Sequence, residues 1–270
     1  MKSRAIEVLR SPANPLLAQF GRALERGELT EDGCLAVEGK HLVEEALRSG
    51  AQVEAVLAAE SARGLFERWP ALANGRARRV VVPDRLFRRL AQTETPQGVA
   101  ALVRLPDWNL EKILAGPHPA VAALAGLQDP GNLGTIVRAL EAFDGSAAAL
   151  LPRTVSPLNS KAVRASAGSI FRVPVFANVS AETLLKKCRA RKLASLGLAP
   201  RGGRSLTDTD LRGGFVFFIG QEASGLAPEL TEKMDGVVTI PIAGAVDSLN
   251  AAMAATLVLY EAARQRGARR

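Results

Sequence analysis

The chain has 270 residues, 47% of them hydrophobic, which is enough to bury one large or two ordinary cores and excludes a disordered chain. A net charge of +8 and a pI near 10.1 favour a polyanionic partner, usually nucleic acid. The charge is no basic tail, since residues 1–106 carry 16 Lys+Arg against 13 Asp+Glu and residues 107–270 carry 19 against 14, so a binding face must come from local clusters.

In chain order, Pro15–Arg26 reads as a helix with Leu16, Leu17, Phe20 and Leu24 on one side. Cys34–Val37 is a short strand ending at Glu38-Gly39, and Lys40–Ser49 an amphipathic helix ended by Gly50. Val53–Ala58, Arg79–Val82 and Val99–Leu105 read as strands, with helices near Ser61–Trp69 and Asp84–Ala91 between them. This alternation predicts an α/β module over residues 1–106. Residues 107–119, with a brief helical stretch Leu110–Ala115 and the breaker GPHP, read as a linker. From residue 120 to 270 the alternation restarts. Val121–Leu127, Ala147–Leu151, Val173–Ala177, Lys192–Leu198, Phe215–Ile219 and Val237–Ile242 suit buried parallel strands. Leu133–Phe143, Lys161–Ala167, Ala181–Arg191 and Leu249–Gln265 read as helices, and Arg201–Arg204 as a flexible turn.

No apolar stretch follows the opening MKSRAIEVLRSP and none approaches the ~20 residues of a membrane span, so a cytoplasmic protein without membrane contact is expected. Cys34 and Cys188, with only His41 and His118 beside them, are too few for a zinc site and read as two buried thiols. The basic clusters are Arg76, Arg78, Arg79, Arg85, Arg88 and Arg89, then Lys186, Lys187, Arg189, Arg191 and Lys192. Each alone reads as a solvated face; together with the pI they make nucleic acid the leading partner.

Three loops in the second half are dense in Gly, Asn, Ser and Glu. In the first, Gln128–Asn132 follows a strand, Asn132 reads as the N-cap of a helix burying Leu133, Ile136, Leu140 and Phe143, and Arg138 lies opposite that stripe. Taken alone, capping plus one solvated arginine is the better account of it. In the second, Gly220 to Leu226 leaves the carboxyl end of a strand, where open α/β sheets bind ligands; Glu222 faces a ligand there or supports the next helix. In the third, either Ser248 caps the last helix or Asn250 turns its amide into a pocket. Neither GxxxxGK[ST] nor a GxGxxG after a first strand occurs, and neither histidine lies in the three loops.

In this order the loops resemble the motifs of the SpoU (TrmH-like) branch of the SPOUT RNA methyltransferases. Asn132, Gly134 and Arg138 match the first; Gly220, Glu222 and Gly225 the second; Ile240, Pro241, Gly244, Ser248, Leu249 and Asn250 the third. KAVRASAGSIFRVPV from Lys161 resembles the segment between the first two. VEGKHLVEEALRSG at Val37–Gly50 and TETPQGVAAL at Thr93–Leu102 resemble the L30e-like substrate-binding domain fused to such enzymes, so the likeness spans nearly the whole chain. One departure is Ala251-Ala252-Met253, where the family continues with a Val-Ser-type stretch.

The resemblance implies an α/β protein whose C-terminal parallel-sheet domain carries a deep trefoil knot, behind an N-terminal L30e-like RNA-binding domain. It implies S-adenosylmethionine as cofactor, no metal, a homodimer formed through the C-terminal domain, and methylation of a ribose 2′-hydroxyl in RNA. The L30e-like domain tilts the substrate towards large-subunit ribosomal RNA, with tRNA or a non-catalytic ribosome-assembly role as alternatives. By the same resemblance Arg138 leads the catalytic set, through a phosphate or the departing proton, with Asn132, Glu222, Ser248 and Asn250 beside it. Gly220, Gln221, Glu222, Ile240, Ile242, Ser248, Leu249 and Asn250 match the cofactor-contacting positions.

Overall fold

The computed structural model describes residues 5–74, 77–222, 224–243 and 246–267, and the chain divides into two compact units. Arg76, Ala223 and Gly244 lie outside the described residues.

The first unit, Met1–Asp107 with Leu158–Phe171, is built on a five-stranded mixed sheet. Its elements run β1 (Ile6–Val8), α1 (Pro15–Arg26), β2 (Leu35–Glu38), α2 (Lys40–Arg48), β3 (Gln52–Ala59), α3 (Leu65–Arg68), α4 (Pro70–Asn74), β4 (Arg78–Val82), α5 (Asp84–Leu90) and β5 (Val99–Arg104). The strand order is β1-β4-β3-β5-β2, with β5 antiparallel to both its neighbours. Asn14 starts α1 by accepting the Leu16 N–H at 3.0 Å, and Gly27 ends it in the left-handed region at φ 62°. Between them Leu17, Phe20 and Leu24 cover Leu57, Val80, Val82 and Leu102 of the sheet. Burial of Phe20 alone contributes about 2–3 kcal/mol. The single helix expected near Ser61–Trp69 is instead a 3₁₀ turn, Glu60–Ala62, followed by the short α3. Gly64 sits between them, and its backbone freedom disfavours a continuous helix.

The second unit, Trp108–Pro157 with Arg172–Arg270, holds a seven-stranded sheet. It runs α6 (Leu110–Leu114), β6 (Ala120–Leu124), α7 (Pro130–Ala142) and β7 (Ala147–Leu150). The chain then gives α8 (Ser160–Ala165) to the first unit and returns with β8 (Val175–Phe176), α9 (Ala181–Arg191), β9 (Ala194–Leu198), β10 (Arg204–Ser205), β11 (Phe215–Ile219), α10 (Pro228–Thr231), β12 (Gly236–Thr239) and α11 (Ala251–Gln265). Every pairing in the order β10-β12-β9-β11-β6-β7-β8 is parallel, as the continuous apolar runs predict. One face packs Val121, Ala149 and Phe218 against Leu184, Leu185 and Cys188 of α9. α11 packs on α7 and is fastened at its far end. There Gln265 bonds the Thr209 carbonyl and the Leu211 N–H, both at 2.8 Å, and the Arg266 guanidinium stands 5.3 Å above the Phe215 ring. Both cysteines are buried, and among the described residues no helix is long and apolar enough to cross a membrane.

Candidate active site

Three carboxyl strand ends, those of β9, β11 and β12, open onto a cleft of about 570 Å³ in the second unit. That volume is in the range of small-molecule sites, and the position is the one that parallel sheets use for ligands.

The second loop is shaped by its glycines. Gln221 and Gly225 exchange both backbone hydrogen bonds, at 3.1 and 2.9 Å, closing a tight turn with Gly225 at φ 67°. A β-carbon on Gly220 would lie 2.0 Å from the Gly225 carbonyl carbon, so only glycine fits. The turn thus presents backbone to the cleft at close quarters, with Ser224 bonded to the Gln221 side-chain oxygen at 2.9 Å.

The first loop differs from its expected form. The N-cap of α7 is Asp129, accepting the Gly131 N–H at 2.9 Å, because Pro130 occupies the first helical position and starts the helix early. Asn132 therefore lies inside the first turn and is buried. Its amide nitrogen donates to Glu222 Oε1 at 3.0 Å, and its oxygen accepts from the Asn250 amide nitrogen at 2.9 Å. Asn250 in turn caps α11, its Oδ1 accepting the Ala252 N–H at 2.9 Å and the Met253 N–H at 3.3 Å. So Asn250, not Ser248, is the cap, and it also turns its amide inward; the two uses were never exclusive. The cap fixes which end of the Asn250 amide is oxygen, and the chain of amides then runs in one direction and ends on the Glu222 carboxylate.

One residue from each loop is thereby tied to the next. Of the expected positions, Gly220, Gln221, Glu222, Ile240, Ile242, Ser248, Leu249 and Asn250 line the cleft. Asn132 does not line it but braces Glu222 and Asn250. Arg138 is not among the lining residues either; it is exposed and, among the described residues, has no side-chain hydrogen bond or ion pair. It stands six residues beyond Asn132 on α7, about 9 Å along the axis at 1.5 Å per residue.

Sequence reading missed the wall formed by Leu198, Ala199 and Pro200 at the end of β9, and Asp247 beside Ser248. The sequence shows only an apolar strand ending in Pro; its place beside the strand that bears the second loop comes from the sheet order. Among the described residues no lysine or arginine lines the cleft, and the lining charges are the carboxylates of Glu222 and Asp247. S-Adenosylmethionine, which carries a sulfonium and an ammonium, fits such a donor set: carboxylates, a backbone turn with no room for a side chain, and apolar walls from Ile240 and Leu249.

The chain is similar over nearly its whole length to known proteins. The model of the SpoU rRNA methylase family matches residues 119–260, and that of the MRM3-like substrate binding domain matches residues 19–101. The chain is 29% identical over 252 residues, 93% of its length, to 23S rRNA (guanosine(2553)-2′-O)-methyltransferase RlmP of Bacillus subtilis (strain 168), covering 97% of that protein. It is 34% identical over 253 residues to an uncharacterised tRNA/rRNA methyltransferase of Mycobacterium avium (strain 104), covering 91% of this chain and 81% of that one. Among solved structures, the AdoMet-bound rRNA methyltransferase from Sinorhizobium meliloti aligns with a TM-score of 0.81 at 26% identity, covering 96% of this chain and 98% of that one. The SpoU methyltransferase AviRb from Streptomyces viridochromogenes, in complex with AdoMet, aligns at 0.80 and 28% identity, covering 95% and 100%. The chain belongs to the SpoU rRNA methylase family.

Proposed function

We propose that this protein methylates a ribose 2′-hydroxyl in large-subunit ribosomal RNA, using S-adenosylmethionine bound in the cleft of the second unit. The observation that carries the reading is the charge of that cleft, acidic and backbone-lined in a protein of net charge +8, with an exposed arginine on the helix that braces it. The cofactor brings a methyl group already activated by its sulfonium. The chain's own task is to hold the ribose oxygen in line with that group and to manage the charge that appears as the hydroxyl loses its proton. A guanidinium offers five donors and no acceptor, which suits Arg138 to holding the substrate phosphate or the developing oxyanion rather than to receiving a proton. Asn132, Glu222 and Asn250 keep the three loops in register, Gly220, Gln221, Ile240, Ile242 and Leu249 supply the cofactor walls, and Ser248 places a hydroxyl at the cleft.

The same reading makes residues 1–106 an L30e-like RNA-binding domain, 107–119 a linker and 120–270 the catalytic domain with its trefoil knot, with residues 158–171 packing in the first unit and α6 of the linker in the second. The exposed stripe Met253, Leu257 and Tyr260 on α11, spaced as one helical face, supports a homodimer through that domain. The basic composition and the RNA substrate support a cytoplasmic location. Incubation with tritiated cofactor and separate rRNA and tRNA pools tests the substrate. Label is expected in 23S rRNA, at a position that then resists alkaline cleavage. Label confined to tRNA, or alkali-labile at the modified position, sinks the reading.

A further inference from the structure

The loop after β7, residues 151–155 of the second unit, has no part in the chemistry above, yet it is stitched along its length to residues 124–128, which lead into the first loop. The Leu151 N–H bonds the Leu124 carbonyl at 2.9 Å, and the Val155 N–H bonds the Leu127 carbonyl at 2.8 Å. Between them Thr154 Oγ1 donates to the Leu124 carbonyl at 2.8 Å and accepts the Gly126 N–H at 3.0 Å. The Gln128 amide nitrogen then donates to two carbonyls, that of Gly126 at 3.0 Å and that of Arg153 at 2.6 Å. A β-carbon on Gly126 would lie 2.7 Å from Gln221 Nε2, so Gly126 also packs on the glycine turn of the cofactor cleft. Through Gln128 and Gly126, the Arg153 backbone is fastened to the wall of that cleft.

The residue held there is the wrong type for its backbone. Arg153 stands at φ 66°, in the left-handed region that favours glycine. A side chain kept in that region is a strain that the surroundings must hold, and here Gln128 holds it at the carbonyl. The guanidinium gives the fold nothing in return. It is exposed and, among the described residues, has no hydrogen bond or ion pair. Most other described arginines of this unit are engaged: Arg172 with Glu141, Arg191 with Glu111, Arg212 with Asp210, Arg264 with Glu261, and Arg266 with the Leu211 and Gly213 carbonyls. An arginine that strains its loop and bonds nothing within the chain points to a ligand outside it.

We infer that Arg153 grips a phosphate flanking the target ribose, as a positioning contact of the catalytic unit beyond the first loop, on the side away from the cofactor turn. The sheet order sets the scale. β11, β6 and β7 are consecutive, so the loop of Arg153 leaves a strand end about 10 Å from the one bearing that turn, at ~4.8 Å per strand. A ribose brought to the turn leaves its neighbouring phosphate within reach of a long side chain from β7. A guanidinium meets a phosphate through two parallel donors, and a loop already fixed loses little freedom when it binds. The inference rests on the RNA reading of the previous section and gives that substrate a contact outside the cofactor cleft.

The test uses the full chain and unmodified 23S rRNA transcript, with binding measured over a salt titration and transfer in single turnovers. Arg153→Gly is the first variant, because glycine suits the backbone and removes only the guanidinium. It should weaken RNA binding about tenfold, the scale of one charged hydrogen-bonded contact. The log–log salt slope should flatten by ~0.7, one single-strand phosphate. Transfer at saturating RNA should stay within about twofold, cofactor affinity should not change, and the melting temperature should hold or rise by ~2–4 °C as the strain is relieved. Arg153→Lys should keep the salt slope. Gln128→Ala should weaken RNA binding in the wild-type chain and add nothing in Arg153→Gly, because it acts through the Arg153 carbonyl. Wild-type affinity and slope in Arg153→Gly overturn the inference, as does a variant that melts earlier and loses RNA for that reason, or a wild type that binds no RNA. Loss of affinity and slope in a chain whose wild type methylates no ribose leaves the Arg153 contact standing and defeats the catalytic reading instead.

Discussion

The cleft of the second unit has a counterpart of about 760 Å³ in the first, similar in size and opposite in design. That of the first unit is rimmed by Lys40, Arg68 and Arg88, cations from three helices; that of the second is lined by backbone turns, apolar walls and two carboxylates. A protein of net charge +8 has thus kept lysine and arginine off one cleft while gathering three of them around the other. If the cleft of the second unit holds a small cationic cofactor, as proposed, the division suits it: such a ligand is placed by parts that cannot move, whereas flexible cationic side chains suit an anionic one. The precision also sits at different levels. In the first unit it lies in a loop fastened by Glu38 and Gln97, in the second in a glycine turn and a run of amides.

The sharpest way to break that contrast is Gly220→Ala. The new methyl group would occupy space 2.0 Å from the Gly225 carbonyl carbon, so the turn must open. Cofactor affinity should fall about a hundredfold, roughly 3 kcal/mol, while RNA binding through the first unit stays as in wild type. Calorimetry with the cofactor reads the first and RNA titration the second; an unchanged cofactor affinity would mean that the turn is not the cofactor wall.

Arg138→Ala should act on turnover without acting on either cleft. Because Arg138 lines neither and is unpaired among the described residues, cofactor affinity should stay within about twofold, while methyl transfer falls about a hundredfold or more, the scale of losing a charged donor at a developing oxyanion. Single-turnover transfer at saturating RNA decides it. Turnover surviving within a few fold makes Arg138 a solvated arm of α7.

Much of this contrast was legible from residue order, though unevenly. The alternation of Val121–Leu127, Phe215–Ile219 and their neighbours with helical stretches defines two α/β modules, because buried parallel strands must be apolar on both faces. Their spatial order was not legible, since any of several crossovers satisfies the same pattern; the wall at Leu198–Pro200 was missed for that reason. Asn132 was misplaced as a cap because Pro130, three residues into the loop, already fixes the helical first position. Its real partners lie 90 and 118 residues away, a separation that local pattern does not report. The Glu38–Thr93 and Lys40–Gln97 links in the first unit are long-range in the same sense, and there only the family likeness tied VEGK to TETPQG.

A smaller effect tests how firmly the second unit holds its last helix. Glu261 is buried, and the Arg264 guanidinium first, then the Gln265 amide, pull its carboxyl from 4.5 down to about 2. A carboxyl depressed in the folded state stabilises the fold above its unfolded value and loses that contribution as pH falls through the folded one. Wild type should therefore lose about 1–2 kcal/mol relative to Glu261→Gln between pH 4.5 and 2, an order-of-magnitude figure. Denaturant melts of both across that range should converge at the acid end. Parallel curves would show that the Glu261 carboxylate adds nothing to the packing on α7 and the Gln265 and Arg266 contacts that hold α11.

The smallest effect expected is at the mouth of the cofactor cleft. Arg201, in the loop after β9, donates to Asp247 Oδ1 at 3.0 Å, and Asp247 belongs to the cleft lining next to Ser248. The pair therefore adds a side-chain link between two walls whose strands, β9 and β12, already pair, and its side chains are 81% and 90% exposed. An ion pair so exposed is worth up to about 1 kcal/mol. Arg201→Ala should then release bound cofactor no more than about fivefold faster, a fold-change of that size. The difference should shrink as salt screens the wild-type pair, and Arg201→Ala with Asp247→Asn should behave as either change alone, because each removes the same contact. Stopped-flow displacement at low and high salt measures all three. Equal release rates at low salt would make the pair a surface contact and leave the cofactor held by backbone alone, the stricter form of the contrast between the two clefts.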